Sequence, residues 1–459
     1  MQLKNLLTIS ILLLSLNLYA QEAKEHYKKG NTALKAEQYE TAIQHYEQAL
    51  KVDASYTAAY INSGRAKMEL GQLDKAVLAF DEALKLAPKD ADIYNYRGQA
   101  KFKDKLYEGS ILDFDEAILN DEKHTDAYYN RAIARQAVNR DGEAIADFDK
   151  VIDLIDLNSD NDKPKYQNVY TKRGLSKRLE GLLEESLADF ETAIEKNGKD
   201  AEAYYNRGVL KAANTKNEEA ILDYSKAIQL DEEYINAYYQ RGLVYRSTKD
   251  YKTALSDFTK VISLNEKAVM AFIARGYTYN DLKKYKDAAK DYTKALELNE
   301  NDGATYIRRG FAYFELGQHE EAMADFTKVI ELKSIYSPYA YNNRGNIKRV
   351  LKKYDEAIVD INEAIKLDSL NALAYTNLGQ VYFDKGDMGN AKVNYDRAVE
   401  LNSQSPLVLW NRANYYMKIK KYDKAVADYT AVEELDANYK AKELKKNKKK
   451  AKKAFLQGG

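Results

Sequence analysis

Apolar and small residues recur along this chain with two nested periods. Between Ala201 and Ala212 they occupy Ala201, Tyr204, Tyr205, Gly208 and Ala212, and a second series runs through Ala220, Tyr224, Ala227 and Ile228. Both series follow the i, i+3, i+4 spacing of a helix with one buried stripe. The stretch between them, Asn214 to Asn217, is polar, so the pattern predicts two amphipathic helices joined by a turn there.

That helix pair then repeats. A glycine or alanine closing an Ala-x-Ala-Tyr-x-Asn-Arg-Gly-like string stands at Gly30, Gly64, Gly98, Ala132, Gly174, Gly208, Gly242, Gly276, Gly310, Gly345, Gly379 and Ala413. The period is 34 residues, broken by eight extra residues before Gln167 and one before Pro338. Counted from seven residues before each marker, twelve units begin at residues 23, 57, 91, 125, 167, 201, 235, 269, 303, 338, 372 and 406. Like units in tandem stack by burying each apolar face on the next, which makes 459 residues one elongated array with no need of a single large core.

Columns through the stack carry the packing. A glycine inside a helix costs about 1 kcal/mol against alanine, so glycines in register at the eighth position imply a close approach of the partner helix. The twentieth position is always small, as at Ala42, Ala76, Ser110 and Ala220, and the twenty-fourth is aromatic in every unit except the one with Ile361. Small holes face large knobs.

These columns resemble the tetratricopeptide repeat, whose aromatic, Gly, Ala, aromatic, Ala pattern is met by all twelve units over residues 23–439. The resemblance implies an all-α fold, a right-handed superhelical solenoid of tandem helix-turn-helix repeats whose first helices line a concave groove for a protein or peptide. It places positions two, five, six, nine, twelve and thirteen on that face. Position six holds Asn62, Asn130, Asn206, Asn343, Asn377 and Asn411, with Gln240 and Arg308 in two further units. An amide donates and accepts, so such a column can grip an extended backbone without reading its sequence; asparagine here is also common in the family, and both readings stand. Tyr129, Tyr205 and Tyr239 at position five, and Phe102, Phe314 and Phe383 at position twelve, add flat apolar area. The clamp by which some members hold a C-terminal carboxylate lacks its cationic part, because Tyr27, Asn31 and Asn62 are followed by Asp92 and Tyr96.

A second pair of columns is correlated. Position seven is Arg in nine units (Arg97, Arg131, Arg173, Arg207, Arg241, Arg275, Arg309, Arg344 and Arg412), and the same nine have Asp at position twenty-three (Asp113, Asp147, Asp189, Asp223, Asp257, Asp291, Asp325, Asp360 and Asp428). The other three lack both, pairing Lys29 with His45, Ser63 with Ala79 and Leu378 with Asn394. A half-buried Arg stripped of its carboxylate is costly, so joint loss is the pattern of an ion pair between the two helices of one repeat. Shared descent of duplicated units yields the same pattern.

Composition narrows the chemistry. The absence of cysteine rules out disulfides and thiolate sites. His26, His45, His124 and His319 are scattered among units, with His319 standing in for the tyrosines of position seventeen. No phosphate-cradling glycine loop, nucleophile elbow or His-Glu-x-x-His string occurs, so the chain reads as a non-enzymatic scaffold without a cofactor. In the insertion, around residues 156–166, Asp156, Asn158, Asp160 and Asp162 imitate the first ligands of a calcium loop. Asn161 stands in place of glycine and Gln167 in place of the bidentate glutamate, which favours a solvated acidic loop over a metal site.

The two ends differ from the body. Residues 1–20 place Lys4 before an apolar run from Leu6 to Leu18 and end at Ala20, the pattern of a secretory signal cleaved near Ala20; this implies an exported protein, periplasmic or secreted, and soluble after cleavage. Basic and acidic groups balance at 71 each, yet nine lysines and one glutamate fall between Lys440 and Lys453, leaving a mildly acidic body and a strongly basic tail. Residues 440–459 are expected to form a helix capping the last repeat through Ala441, Leu444, Ala451 and Phe455. The leading expectation is a protein- or peptide-binding scaffold of an envelope or secreted complex; the alternatives are recruitment to an anionic surface by the lysine tail and polysaccharide binding in the tyrosine-rich groove. No nucleic-acid partner is expected.

Overall fold

The structure is a computed structural model that describes the backbone of residues 2–155 and 163–458, with side chains from 19–155 and 165–457. The calcium-like residues Asp156, Asn158, Asp160 and Asp162 lie outside the described residues. Among the described residues no group of three or more His, Cys, Asp or Glu is placed to hold a metal ion, and no helix is long and apolar enough to cross a membrane.

Tandem helix pairs run the length of the chain, with no strand among the described residues. The pairing matches the sequence pattern: Ala201–Ala213 with Asn217–Leu230, and Val269–Asp281 with Tyr285–Leu298. The first pair opens with one continuous helix, Gln2–Lys35, followed by Tyr39–Val52. After the insertion a single helical turn, Lys163–Tyr166, precedes Val169–Leu179. The chain is therefore a solenoid of tandem helix-turn-helix repeats. It divides into two compact units, residues 1–232 and 233–459.

Each tight turn within a pair is set by one left-handed residue at the end of the first helix. In four repeats it is a glycine, such as Gly386 at φ 92°, and elsewhere it is a polar residue such as Lys283 at φ 57°. The left-handed residue lets the chain fold back so that, for example, Leu106 N–H donates to the Lys101 carbonyl at 2.9 Å. Because Asn and Lys serve where glycine would be expected, this turn left only a broken trace in the sequence.

The glycine column is explained by the aromatic column of the same repeat. A Cβ added at Gly276 would lie 2.7 Å from the Tyr292 ring, and one at Gly30 2.5 Å from the ring of Tyr46. The position-twenty-four rings are the largest fully buried side chains, among them Tyr224, Phe258 and Phe326. Where the ring is replaced by Ile361, the side chain still stands 2.6 Å from a Cβ built on Gly345.

The last helix, Ala441–Gly458, packs on the helix before it, Tyr422–Leu435. Leu444 and Ala451 are buried in a cluster with Trp410, Tyr415, Tyr416 and Tyr429. Ala441 is half-buried, but Phe455 is 51 % exposed, so the packing ends before it. At 18 residues the last helix is longer than the 14-residue Tyr422–Leu435 it packs on, which leaves its final turn without a neighbouring helix turn to bury Phe455.

Candidate binding groove

Nine Arg–Asp braces join the two helices of a repeat. In every repeat that carries both residues, Nε and Nη2 of the position-seven Arg donate to the two oxygens of the position-twenty-three Asp, at 3.0 and 2.6 Å for Arg97 with Asp113 and 2.8 and 2.8 Å for Arg275 with Asp291. The pairing is within the repeat, as the column correlation required. The Asp side chains are buried and the Arg side chains about four-fifths buried, as for Asp325 and Arg309. Fork-on-fork geometry of this kind is the strong form of the ion pair.

The brace also reaches a third helix, which the column correlation did not show. Arg97 Nη1 donates to Asp81 at 2.6 Å and Arg131 Nη1 to Asp115 at 2.5 Å, both on the second helix of the preceding repeat. In residues 233–459 the role passes to Thr for Arg309, whose Nη1 donates to Thr293 at 3.0 Å, and for Arg344, on Thr327 at 2.9 Å, while Arg412 Nη1 donates to Asp396 at 3.3 Å. In eight of the nine braces the guanidinium lies over the aromatic ring of position four, 5.4 Å from the Tyr94 centroid for Arg97 and 5.4 Å from that of Tyr306 for Arg309; Arg412, with Leu409 there, lies over Tyr416. The cross-repeat partner was hidden in sequence because it alternates among Asp, Thr and other residues.

On the first-helix face, several position-six residues are tied to the repeat before them. Asn62 Nδ2 donates to the Tyr27 hydroxyl at 2.9 Å and to Asn31 Oδ1 at 3.0 Å, Asn130 to Asn95 at 2.9 Å, and Asn377 to Asn342 at 2.9 Å. Asn95 and Asn342 are themselves buried. Asn206 and Asn411 instead turn back to their own helix, donating to the carbonyls of Glu202 and Leu407. Gln240 and Asn343 are half-buried on this face. The amide column is thus in part an inter-repeat ladder, and its members offer a ligand only the hydrogen-bonding capacity that remains.

The position-five tyrosines are likewise partly committed to packing. Tyr129 stands edge-on to Phe148 and Tyr166 at 6.0 and 5.6 Å and donates its hydroxyl to Asn168 at 2.9 Å. Tyr205 packs on Tyr224 at 6.0 Å and Tyr239 on Phe258 at 5.9 Å. Burial pushes the hydroxyls of Tyr129 and Tyr239 above the ordinary tyrosine range.

Two features of this face escaped the sequence reading. In residues 1–232, Gln99, Phe102, Lys103, Asn130 and Ile133 line a recess of about 260 Å³ floored by Phe114; all five lie at positions the family assigns to the groove, but only the fold shows them converging. In residues 233–459, both Arg246 and Arg308 approach Tyr277, their guanidinium carbons 4.9 and 4.6 Å from its ring centroid. Arg308 Nε also donates to the Tyr277 hydroxyl, and Arg246 pairs with Asp281 at 2.9 Å. A matching pair, Arg349 with Asp384 at 2.6 Å, lies further along. Like Asn95 with Asn130, Arg246 with Asp281 and Arg349 with Asp384 are 35 residues apart. A search for complementary residues at one period plus one would have found them.

Models of the family described as tetratricopeptide repeat match residues 27–91, 61–122, 235–267, 269–302, 303–334, 372–405 and 407–439, and a model described as TPR repeat matches 213–248 and 345–386. These cover more than half of the chain, which belongs to the tetratricopeptide repeat family. Heat shock protein STI1 of Saccharomyces cerevisiae is 34% identical over 65 residues, which is 14% of this chain and 11% of that protein. Among solved structures, yeast Tom70 aligns at 18% identity and TM-score 0.41 over 95% of this chain and 96% of its own. A tetratricopeptide repeat protein from Parabacteroides merdae aligns at 22% and 0.39 over 56% and 98%, and YrrB, described as a TPR protein with an unusual peptide-binding site, at 26% and 0.33 over 48% and 95%. The family is a non-enzymatic protein-interaction fold whose members bind protein or peptide partners.

Proposed function

We propose that this chain is an exported scaffold that holds an extended protein segment against its first-helix face, in the assembly or retention of an envelope or secreted complex. The observation that carries the groove assignment is the recess at Phe102, Asn130 and Ile133: an apolar hole beside an amide whose donor is fixed on Asn95 and whose carbonyl remains to accept from a ligand N–H. Export rests on the sequence pattern of residues 1–20. The test is site-specific photocrosslinking from position 102 against the outward-facing position of Leu112. Covalent capture of a discrete partner from position 102 and not from 112 supports the proposal; capture from 112 alone defeats it. N-terminal sequencing of the native protein, beginning near Gln21, tests export.

A second reading rests on the tail. Lys442, Lys445, Lys446, Lys449, Lys450, Lys452 and Lys453 are all exposed, and Phe455 and Leu456 next to them are 51 and 83 % exposed. Lysines flanking exposed apolar side chains are the makings of contact with an anionic lipid surface. Co-sedimentation with phosphatidylglycerol vesicles, lost on Lys→Gln replacement at these seven positions, is the expected result of that reading.

A further inference from the structure

One repeat keeps a cation whose carboxylate partner is missing. In five braced repeats the Asp of position twenty-three serves two cations, the Arg of position seven and a Lys or Arg at position eleven. Lys101 stands 2.8 Å from Asp113, Arg135 2.6 Å from Asp147, Lys177 3.1 Å from Asp189, Lys211 2.9 Å from Asp223 and Lys348 2.8 Å from Asp360. The second repeat has Ser63 at position seven and Ala79 at position twenty-three, yet it retains Lys67 at position eleven. Of the three repeats without a brace it alone does so, since position eleven is Ala33 in the first and Tyr382 in the eleventh. The Lys67 side chain is 16 % exposed, within the 11 to 23 % of the four lysines that hold an Asp.

The small side chains of Ser63 and Ala79 leave a cavity of about 490 Å³ between the second helices of the first two repeats and the first helix of the second, a volume typical of ligand pockets. In the eleventh repeat the corresponding Leu378 fills its own space within a core cluster. Three lysines line the cavity, Lys51, Lys67 and Lys75, and neither Lys51 nor Lys75 is in an ion pair with a described residue. Of the two acids in the lining, Glu82 is held by Lys85 at 2.6 Å, and the largely exposed Glu47 comes only within 3.8 Å of Lys67 Nζ. Leu50 and Leu78 supply apolar walls. A mostly buried ammonium without a hydrogen-bonded carboxylate, in a cavity with an excess of lysine, favours an anion.

We propose that this cavity docks an acidic side chain of a partner protein, a Glu or Asp flanked by apolar residues and presented from the second-helix side. Its carboxylate accepts from Lys67 Nζ, in the role that the position-twenty-three Asp plays in the other repeats. Lys51 and Lys75 attract the charge on approach, and the apolar flanks cover Leu50 and Leu78. None of the lining residues stands at a groove position, so the site is separate from the first-helix groove.

The experiment is saturation-transfer NMR on the full chain with the peptide N-acetyl-Leu-Glu-Leu-amide, compared with its Gln counterpart, which has the same shape but no charge. The expected result is saturation of the Glu γ protons roughly five times that of Gln or more, by the advantage of a charge-assisted hydrogen bond over a neutral one. Glutarate, a free carboxylate without apolar flanks, stays at the Gln level. The signal falls to that level in Lys67→Gln and persists in Lys67→Arg, the residue that Arg135 supplies in the fourth repeat. It also falls in the double variant Ser63→Arg with Ala79→Asp, which rebuilds the brace; that variant copies the third repeat and should melt no lower than the natural chain by circular dichroism, so the loss is not one of folding. It is unchanged in Lys290→Gln, at an exposed lysine of another repeat. Saturation that survives Lys67→Gln or the double variant, that is lost in Lys67→Arg or Lys290→Gln, or that glutarate matches, overturns the proposal.

Discussion

Arg97 and Asp113 form a two-pronged ion pair across the helices of one repeat, while the third nitrogen of the same guanidinium holds Asp81 of the repeat before. One side chain therefore joins three helices, and the array is stitched along its length as well as across each unit. A repeat array has no single core, so coupling between neighbours decides whether it unfolds as one body or frays repeat by repeat.

This stitching predicts an asymmetry between single and double replacements. Asp325→Ala leaves Arg309 largely buried and without its fork partner, and is expected to cost about 3–5 kcal/mol. Arg309→Leu with Asp325→Asn copies the Leu378 and Asn394 pair of the eleventh repeat and is expected to cost less than Asp325→Ala alone. Hydrogen exchange of the amides in helix Gly303–Glu315 reads the local effect; a double variant as unstable as the single would show the two charges to be independent.

The glycine column makes a packing prediction. At Gly276 the helix gains about 1 kcal/mol from alanine, but the new methyl meets the Tyr292 ring at 2.7 Å, and overpacking costs about 1–3 kcal/mol. Gly276→Ala should therefore be neutral to mildly destabilising, and Gly276→Val strongly so, in urea denaturation. The chain itself tolerates Ala132 and Ala413 in this column, which marks alanine as the upper limit.

Alkaline pH should unfold the array through its buried tyrosines. Burial pushes Tyr46 and Tyr429 up to about 12, and moves Tyr224, Tyr292 and Tyr395 upward as well. A hydroxyl whose folded pKa is raised favours the folded state fully below the unfolded value near 10, and that contribution is lost as pH climbs from about 10 to about 12. Replacing all five by Phe, the residue that already fills this position in repeats such as that of Phe258, should shift the onset of unfolding to higher pH, as followed by circular dichroism.

The amide ladder separates asparagines that look alike in sequence. Asn377→Ala removes the donor to buried Asn342 and should cost about 1–3 kcal/mol. Asn411→Ala removes only a bond to its own helix backbone and should change stability by less than about 0.5 kcal/mol. Equal effects in thermal unfolding would refute an inter-repeat ladder.

The two roles of the tail are separable without deleting it. Leu444 is 1 % exposed against the last repeat, so Leu444→Ala should cost about 2–5 kcal/mol and loosen that repeat first. Glutamine at the seven exposed lysines should leave its melting unchanged while abolishing any anionic-vesicle binding.

The sequence by itself determined the repeat, its helix pairs, the glycine-to-ring packing and the within-repeat partners of nine arginines, because each is a contact inside one period and appears as a fixed column. Groove residues could be named from the family, but not what they touch: Asn130 finds Asn95, and Arg246 finds Asp281, only when one unit is laid on the next. Turns such as that at Lys283 were legible only in part, since several residue types tolerate the left-handed conformation there. Only the packed array shows the cross-repeat contact that braces such as Arg97 and Arg309 make and the cavity beside Ser63 in the second repeat. The reason is physical: those depend on the space between neighbouring repeats, and a missing side chain leaves a column blank without saying whether the chain closes over the gap, as at Leu378, or leaves it open.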